Sequence, residues 1–233
     1  MGVLVSTGCS NTVGVDLEEE IGYENHWWQK DNTREDIEIV RRHREENNFS
    51  MLIAKKLQYE CVNIAEPGNS NGNMLRKLVD YIEENPKVDF ALINLTSASR
   101  VSYKVDDEIH HFNLAFTPKE LKSMSKIKHK NFEPFIDFMR THCLNTWNIR
   151  DRITYEIRCV ISYLTTRNIP FFISTTIPNK IDLSLLTEHS INVSMDEFSH
   201  ESGHKRLKGG HYGSGAHKDW ANHIYENIKK LTA

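Results

Sequence analysis

Ser10, near the start of the chain, and a histidine near its end are the residues whose surroundings could support nucleophilic chemistry. Ser10 follows a short apolar run, Val3-Leu4-Val5, that breaks at Gly8 into small polar residues, Cys9-Ser10-Asn11-Thr12. This reads as a buried strand that stops and presents a hydroxyl on the turn beyond its C-terminal end, the edge at which open α/β sheets bind ligands. A serine hydroxyl alone is a weak nucleophile. It needs an imidazole to take its proton, and donors to hold the oxyanion that its attack creates. Of twelve histidines, His110, His111, His129, His142, His189 and His223 have no context that singles them out. His211 and His217 flank a glycine-rich loop just before a helical pattern, where a flexible backbone can lean over a sheet edge. The candidate oxyanion donors are backbone N–H groups after Ser10, the N–H of Gly68 and a side chain from a third turn. The neighbouring Cys9 points the opposite way from Ser10 on an extended strand end and is expected to pack beneath it.

The elements that must position these groups alternate between strand and helix. After the first strand comes a long polar connection, about 15–48, holding Trp27-Trp28 and a charge run from Arg34 to Glu46 that reads as a solvated helix. Ser50 is placed as the cap of a short helix over 51–57. Residues 61–65 read as a second strand that ends in a turn dense in Gly and Asn, Glu66 to Asn73, and a helix carries Met74, Leu75, Leu78, Val79 and Ile82 on one face. Phe90 to Leu95 is apolar almost throughout, as in a central parallel strand, and it too ends in hydroxyl residues, Thr96-Ser97. The region 101–168 reads as an insertion or very long crossover, polar and irregular at first. From Pro134 onward it reads as one long helix or two in series. A strand over 170–176, a short fifth strand at 191–193, a polar loop over 199–215 and a closing helix over 216–231 complete the order. The prediction is a three-layer α/β/α, flavodoxin-like parallel sheet of about five strands in a single domain, with helical insertions at about 15–48 and 101–168.

Composition narrows the function classes. A net charge of -3 and a pI near 6.5 give no basic surface for nucleic acid or membrane. No apolar run is long enough to span a bilayer. Four widely spaced cysteines without a CxxC pair argue against a disulfide framework or zinc ribbon and point to a reducing cytoplasm. Met1-Gly2 with Ser6, and Ser6 to Cys9, imitate lipidation signals. The first would tether a residue directly before a buried strand, and the second has no basic and apolar stretch upstream. His200, His204, His211 and His217 could gather a metal, but they lack regular helical spacing and a carboxylate partner, so neither metal nor cofactor is expected.

These residues resemble the SGNH (GDSL-like) hydrolases, in the divergent form of phage and bacterial proteins. Gly8-Cys9-Ser10 is similar to the family's first block, and Asn63 to Asn71, with Gly68 in the turn, to its second. Asn94-Leu95-Thr96-Ser97 stands where the third block has Gly-x-Asn-Asp. His211 to Ala221 follows the spacing of the last block. The resemblance implies a serine esterase that removes a small acyl group, such as acetyl, from a carbohydrate or nucleotide-like carrier. Ser10 would be the nucleophile and His211 the base, with His217 as second choice. Ser10, Gly68 and Thr96 would form the oxyanion hole. Asn69, Asn71, Arg100, Trp27 and Trp28 are the candidate substrate contacts. Two departures stand out. Lys208 occupies the place of the acid three residues before the histidine, and Thr96 that of the third-block asparagine. Asp196, Glu197 and Glu201 are the nearest substitutes for the acid, or a carbonyl could orient His211 in a dyad. The alternatives are an acyltransferase and a non-catalytic scaffold that binds a ligand or partner at the same edge.

Overall fold

The computed structural model describes residues 1–23, 32–105, 108–116, 132–143, 146–178 and 181–232. Its centre is a five-stranded parallel sheet of β1 (Gly2–Thr7), β2 (Tyr59–Asn63), β3 (Phe90–Leu95), β6 (Phe171–Thr175) and β7 (Ser190–Ser194), in the order β2-β1-β3-β6-β7. The order steps one way from β1 to β2 and the other way from β1 to β3. The switch point therefore lies at the end of β1, where Ser10 stands. The expected parallel α/β sheet is thus present, and every predicted strand lies in it.

Helices cover both faces because β1, β3 and β6 alternate apolar side chains to two cores. On one face, α4 (Asn71–Glu84) and α6 (Thr146–Thr166) pack Met74, Leu78, Ile157 and Leu164 against Val5, Ile93 and Ile173. On the other, α3 (Phe49–Leu57) and α8 (Ser214–Thr232) pack Phe49, Ile53, Trp220 and Ile224 against Leu4, Leu92 and Phe172. Burial of such side chains stabilises the fold by about 1.5–3 kcal/mol each. On this second face, polar groups cross the sheet. Ser50 Oγ accepts from Ser6 Oγ at 2.8 Å, Ser6 Oγ accepts from Asn94 Nδ2 at 3.2 Å, and Asn94 Oδ1 accepts from Ser174 Oγ at 2.7 Å. All four residues are wholly buried.

Three local expectations need correction. The cap of α3 is Asn48, whose side chain accepts from the Ser50 N–H, so Ser50 lies inside the helix. The polar stretch after β3 is regular. It forms an antiparallel hairpin, β4 (Arg100–Val105) with β5 (Glu108–Asn113), whose Val101 and Phe112 pack with Leu114, Ile136 and Met139 of the following segment. Its alternation of polar and apolar residues over a few positions is a strand signal that its charges obscured. The loop expected from Ser199 begins later, because Ser194 and Glu197 form a capping box that starts α7 (Met195–Glu201). The charge run is the helix α2 (Arg34–Asn47), opened by a Thr33–Asp36 capping box. The region from Pro134 resolves into two helices, α5 (Phe132–Cys143) and α6. Among the described residues no helix is long and apolar enough to cross a membrane.

Candidate active site

β1 ends at Thr7, and Ser10 opens a single helical turn, α1 (Ser10–Val13). Gly8 is required between them, since a Cβ there would lie 2.0 Å from Thr12 Oγ1. Cys9 is wholly buried beneath, with its sulfur 3.3 Å from Thr176 Oγ1. The turn is held from below. Asn63 at the end of β2 and Asn48 before α3 each donate to the Thr12 carbonyl at 2.7 Å.

Gly14 and Asp16 then both take left-handed backbone, φ 80° and 73°. For Asp16 this is an uncommon conformation, though aspartate tolerates it better than most residues. The two reversals aim the buried Asp16 carboxylate back toward the sheet edge. His211 meets both groups. Its Nε2 lies 2.7 Å from Ser10 Oγ and its Nδ1 lies 2.7 Å from Asp16 Oδ2. The backbone N–H of His211 also donates to Asp16 Oδ2, at 3.4 Å. A carboxylate on Nδ1 fixes the tautomer that leaves Nε2 able to accept the serine proton, and it stabilises the imidazolium that results.

The carboxylate on His211 therefore comes from the segment just after Ser10. Asp196, Glu197 and Glu201 do not supply it. Asp196 accepts from the Tyr212 hydroxyl at 2.9 Å and pairs with Arg206, Glu197 caps α7, and Glu201 is exposed at the end of that helix. The resemblance places the acid just before His211, where this chain has Lys208. Two signals pointed elsewhere. One is the acidic run Asp16-Leu17-Glu18-Glu19-Glu20 just after Ser10. The other is the Gly209-Gly210 pair, which leaves room for a carboxylate. That run, folded as a 3-10 turn over Leu17–Ile21, grips the histidine loop along its length. Glu19 accepts from the N–H groups of Lys208 and Gly209 at 2.9 Å each. Glu20 accepts from the Ser214 N–H at 2.8 Å. Glu18, wholly buried, makes a two-point pair with Arg44 of α2, at 2.8 and 3.0 Å.

His217 is removed as an alternative base. It is completely buried, its Nδ1 accepts from the Phe49 N–H at 3.2 Å, and its ring stacks on Phe49. Burial pushes its pKa down to about 3, with the nearby His211 adding to the effect, so it stays neutral. Among the described residues no three metal-ligating side chains gather, and His204 is paired with Asp219 at 3.0 Å.

The other turns of the sheet edge are ordered by one another. Gly68 has φ 77°, the left-handed value that favours glycine. Asn71 clamps the neighbouring turn. Its amide is spent on the third turn, donating to the Thr96 carbonyl at 3.0 Å and accepting from the Thr96 N–H at 2.8 Å. That clamp fixes Thr96, whose buried Oγ1 has no hydrogen-bond partner among the protein atoms. Asn69 is similar, with Oδ1 accepting from Asn73 and a buried Nδ2 without a partner. Arg100, at the start of β4, also buries one guanidinium nitrogen without a partner. Trp27 and Trp28 lie outside the described residues.

No family model matches the sequence, and no curated protein matches it. Several solved structures are similar in fold, three of which follow. An acetyl xylan esterase, Est2A, from the rumen bacterium Butyrivibrio proteoclasticus is 10% identical, with 99% of this chain and 64% of that one covered, at a TM-score of 0.50. This chain has the SGNH-hydrolase fold. The psychrotrophic esterase EstA from Pseudoalteromonas sp. is 12% identical over 100% of this chain and 99% of that one, with a TM-score of 0.49. TesA is 11% identical over 98% and 99%, with a TM-score of 0.48. In this chain Ser10 and the carboxylate that meets His211 Nδ1, Asp16, stand in one short stretch after β1.

Proposed function

We propose that this protein is a serine esterase that removes a small acyl group through an acyl-enzyme. The observation that carries the reading is the unbroken series Ser10–His211–Asp16, with both links at 2.7 Å. In this mechanism His211 Nε2 takes the Ser10 proton as Oγ bonds to the ester carbonyl carbon. The carbonyl electrons move to oxygen, and the tetrahedral oxyanion is held by the N–H groups of Ser10 and Gly68 and by the Thr96 hydroxyl. Collapse expels the alcohol, which leaves with the proton from His211. Water, deprotonated by the same imidazole, then attacks the acyl-serine and releases the acid. Asp16 steadies the imidazolium in both halves and is not itself protonated.

Support for Thr96 comes from its buried, unpartnered hydroxyl on a backbone fixed at both its N–H and its carbonyl. Such a group needs no reorganisation to donate to a developing charge. The carboxylate on His211 Nδ1 also supports this reading over an inactive scaffold, which the departures at Lys208 and Thr96 favour.

A fluorophosphonate probe followed by intact-mass measurement tests the reading. Wild type is expected to gain one adduct that is absent in Ser10→Ala and strongly slowed in His211→Ala. Folded wild type that takes no label under excess probe would refute an activated serine, and an adduct that persists in Ser10→Ala would refute the choice of nucleophile.

A further inference from the structure

A cavity of about 640 Å³ opens between the β4–β5 hairpin and the helices α4 and α6. Its walls include Gly72, Ser102, Tyr103, Ile109, Arg152 and Glu156. The volume is in the range of small-molecule sites, about 300–1,000 Å³. None of these residues belongs to the Ser10–His211–Asp16 series.

Glu156 is the group that needs explaining. One carboxylate oxygen, Oε1, lies 3.5 Å from Arg152 Nε. The other, Oε2, is buried and has no hydrogen-bond partner among the described residues. Burial raises the pKa of this carboxyl, and Arg152 opposes the rise. A buried oxygen left in this state costs free energy unless a ligand or water supplies a donor. Gly72, in the first turn of α4, makes room for it, since a Cβ there would lie 3.0 Å from Oε2.

We infer that this cavity binds the alcohol part of the ester, and that this part is a neutral polyhydroxyl ring such as a sugar. A carboxylate beside a guanidinium accepts and donates at adjacent points. Neighbouring hydroxyls, each a donor and an acceptor, match that pattern. Arg76 also lines the cavity, but Asp80 and Asn73 hold its guanidinium. A bare anion would face Glu156 and a bare cation would face Arg152, so a neutral ligand suits both. Tyr103 and Ile109 offer an apolar surface for the C–H face of a ring.

The cavity shares a wall with the proposed oxyanion turn. Ser70, two residues beyond Gly68, lines the cavity and lies 2.7 Å from Ser102 Oγ. Ser102 Oγ lies 2.7 Å from His111 Nδ1, and a Cβ added at Gly68 would lie 3.7 Å from the His111 Cβ. A ring held at Glu156 therefore lies along the wall that leads to the turn before α4. The esterase reading is needed only for the acyl group on that ring. The binding of the ring stands apart from it.

The test uses Ser10→Ala protein and saturation-transfer NMR with four probes: the methyl glycosides of xylose, glucose, galactose and N-acetylglucosamine. At least one is expected to receive saturation, and to lose most of it in Ser10→Ala proteins that also carry Glu156→Gln or Gly72→Ala. Alanine in the first turn of a helix is no worse than glycine for folding, so loss of signal in Gly72→Ala reports the cavity. In the active protein, Glu156→Gln is expected to lower kcat/KM on an acetylated methyl glycoside about tenfold more than on 4-nitrophenyl acetate, the size of effect one hydrogen bond to a charged group carries. Saturation of none of the four glycosides, or equal saturation in all variants, overturns the assignment. Fluorophosphonate labelling reports on Ser10 separately. Glycoside binding without labelling would therefore sink the esterase reading alone, and labelling without glycoside binding would sink the cavity assignment alone.

Discussion

The carboxylate of Asp16 fills the space that a side chain would need at Gly209. A Cβ built there would lie 1.9 Å from Asp16 Oδ2 and 2.2 Å from its Cγ. Gly209 is not in the left-handed region, so this contact and not backbone freedom demands the glycine. Gly209→Ala should therefore push Asp16 from His211 while leaving both cores untouched. The expected result is a fall of about 10²-fold in kcat, the scale of a displacement of about an ångström, with a melting temperature close to wild type. Ester hydrolysis measured beside thermal unfolding checks it. A full-rate variant would mean that the Asp16–His211 contact does not matter for turnover.

Replacing the acid itself gives a sharper result. Asp16→Asn keeps the shape but can donate to Nδ1, which favours the wrong imidazole tautomer, and a loss of about 10⁴-fold in kcat is expected. Asp196→Asn is the matched control, since that carboxylate serves Tyr212 and Arg206. It should cost about 1 kcal/mol of stability and leave kcat near wild type. Steady-state kinetics on the two variants would reverse the assignment if Asp196→Asn were the slow one.

Thr96→Val tests the hydroxyl that replaces the third-block asparagine. Its Oγ1 is buried without a partner, so removing it should leave stability unchanged or slightly raised. If the hydroxyl meets the oxyanion, kcat falls by about 10²-fold with little change in KM. Unchanged kcat would assign the oxyanion to backbone N–H groups alone.

His217 makes the fold sensitive to acid. Its pKa is about 3 in the folded protein and 6.5 is its ordinary value. Between these values the unfolded chain binds a proton that the folded one does not, so stability falls as pH drops below 6.5. At pH 5 this ring alone should account for about 2 kcal/mol of lost stability relative to neutral pH. His217→Asn keeps an acceptor for the Phe49 N–H but cannot titrate. It should be less stable at pH 7, where the stacking on Phe49 is lost, and should show a flatter decline from pH 7 to 5. Urea unfolding at the two pH values measures the slope, and equal slopes would remove His217 as the cause.

The sheet was legible because its strands carry their signals locally. Phe90 to Leu95 is apolar in a row, and Gly8 and Gly68 mark two of the turns where the edge turns polar. Ser10 and His211 were legible as candidates for the same reason, since each stands at a change of pattern. The carboxylate partner of His211 was not, because the relation of Asp16 to His211 spans the chain and depends on two left-handed residues in a stretch that reads only as acidic. The hairpin over 100–113 was missed because its polar face, Ser102 and His111, covers another polar surface. Partner choice decided that burial, and hydropathy alone does not record it. Asn71 looked like a ligand contact because amides in a Gly-rich turn often are. Its two bonds to Thr96 appear only when the second and third turns are brought together.

The row of buried hydroxyls and one amide beneath the edge, Ser6, Ser50, Asn94 and Ser174, has a consequence for alignment. A slip of β3 by one residue against β1 would turn Asn94 to the opposite face and bring Ile93 or Leu95 against the Ser6 hydroxyl. The row thus acts as a ruler that penalises any sliding of the strands. One residue of slip would move a strand end by about 3.3 Å, more than the whole length of a hydrogen bond. Because Ser10 follows β1 and Thr96 follows β3, the heights of nucleophile and hydroxyl donor relative to each other are set by a polar contact lying under the site and touching neither of them.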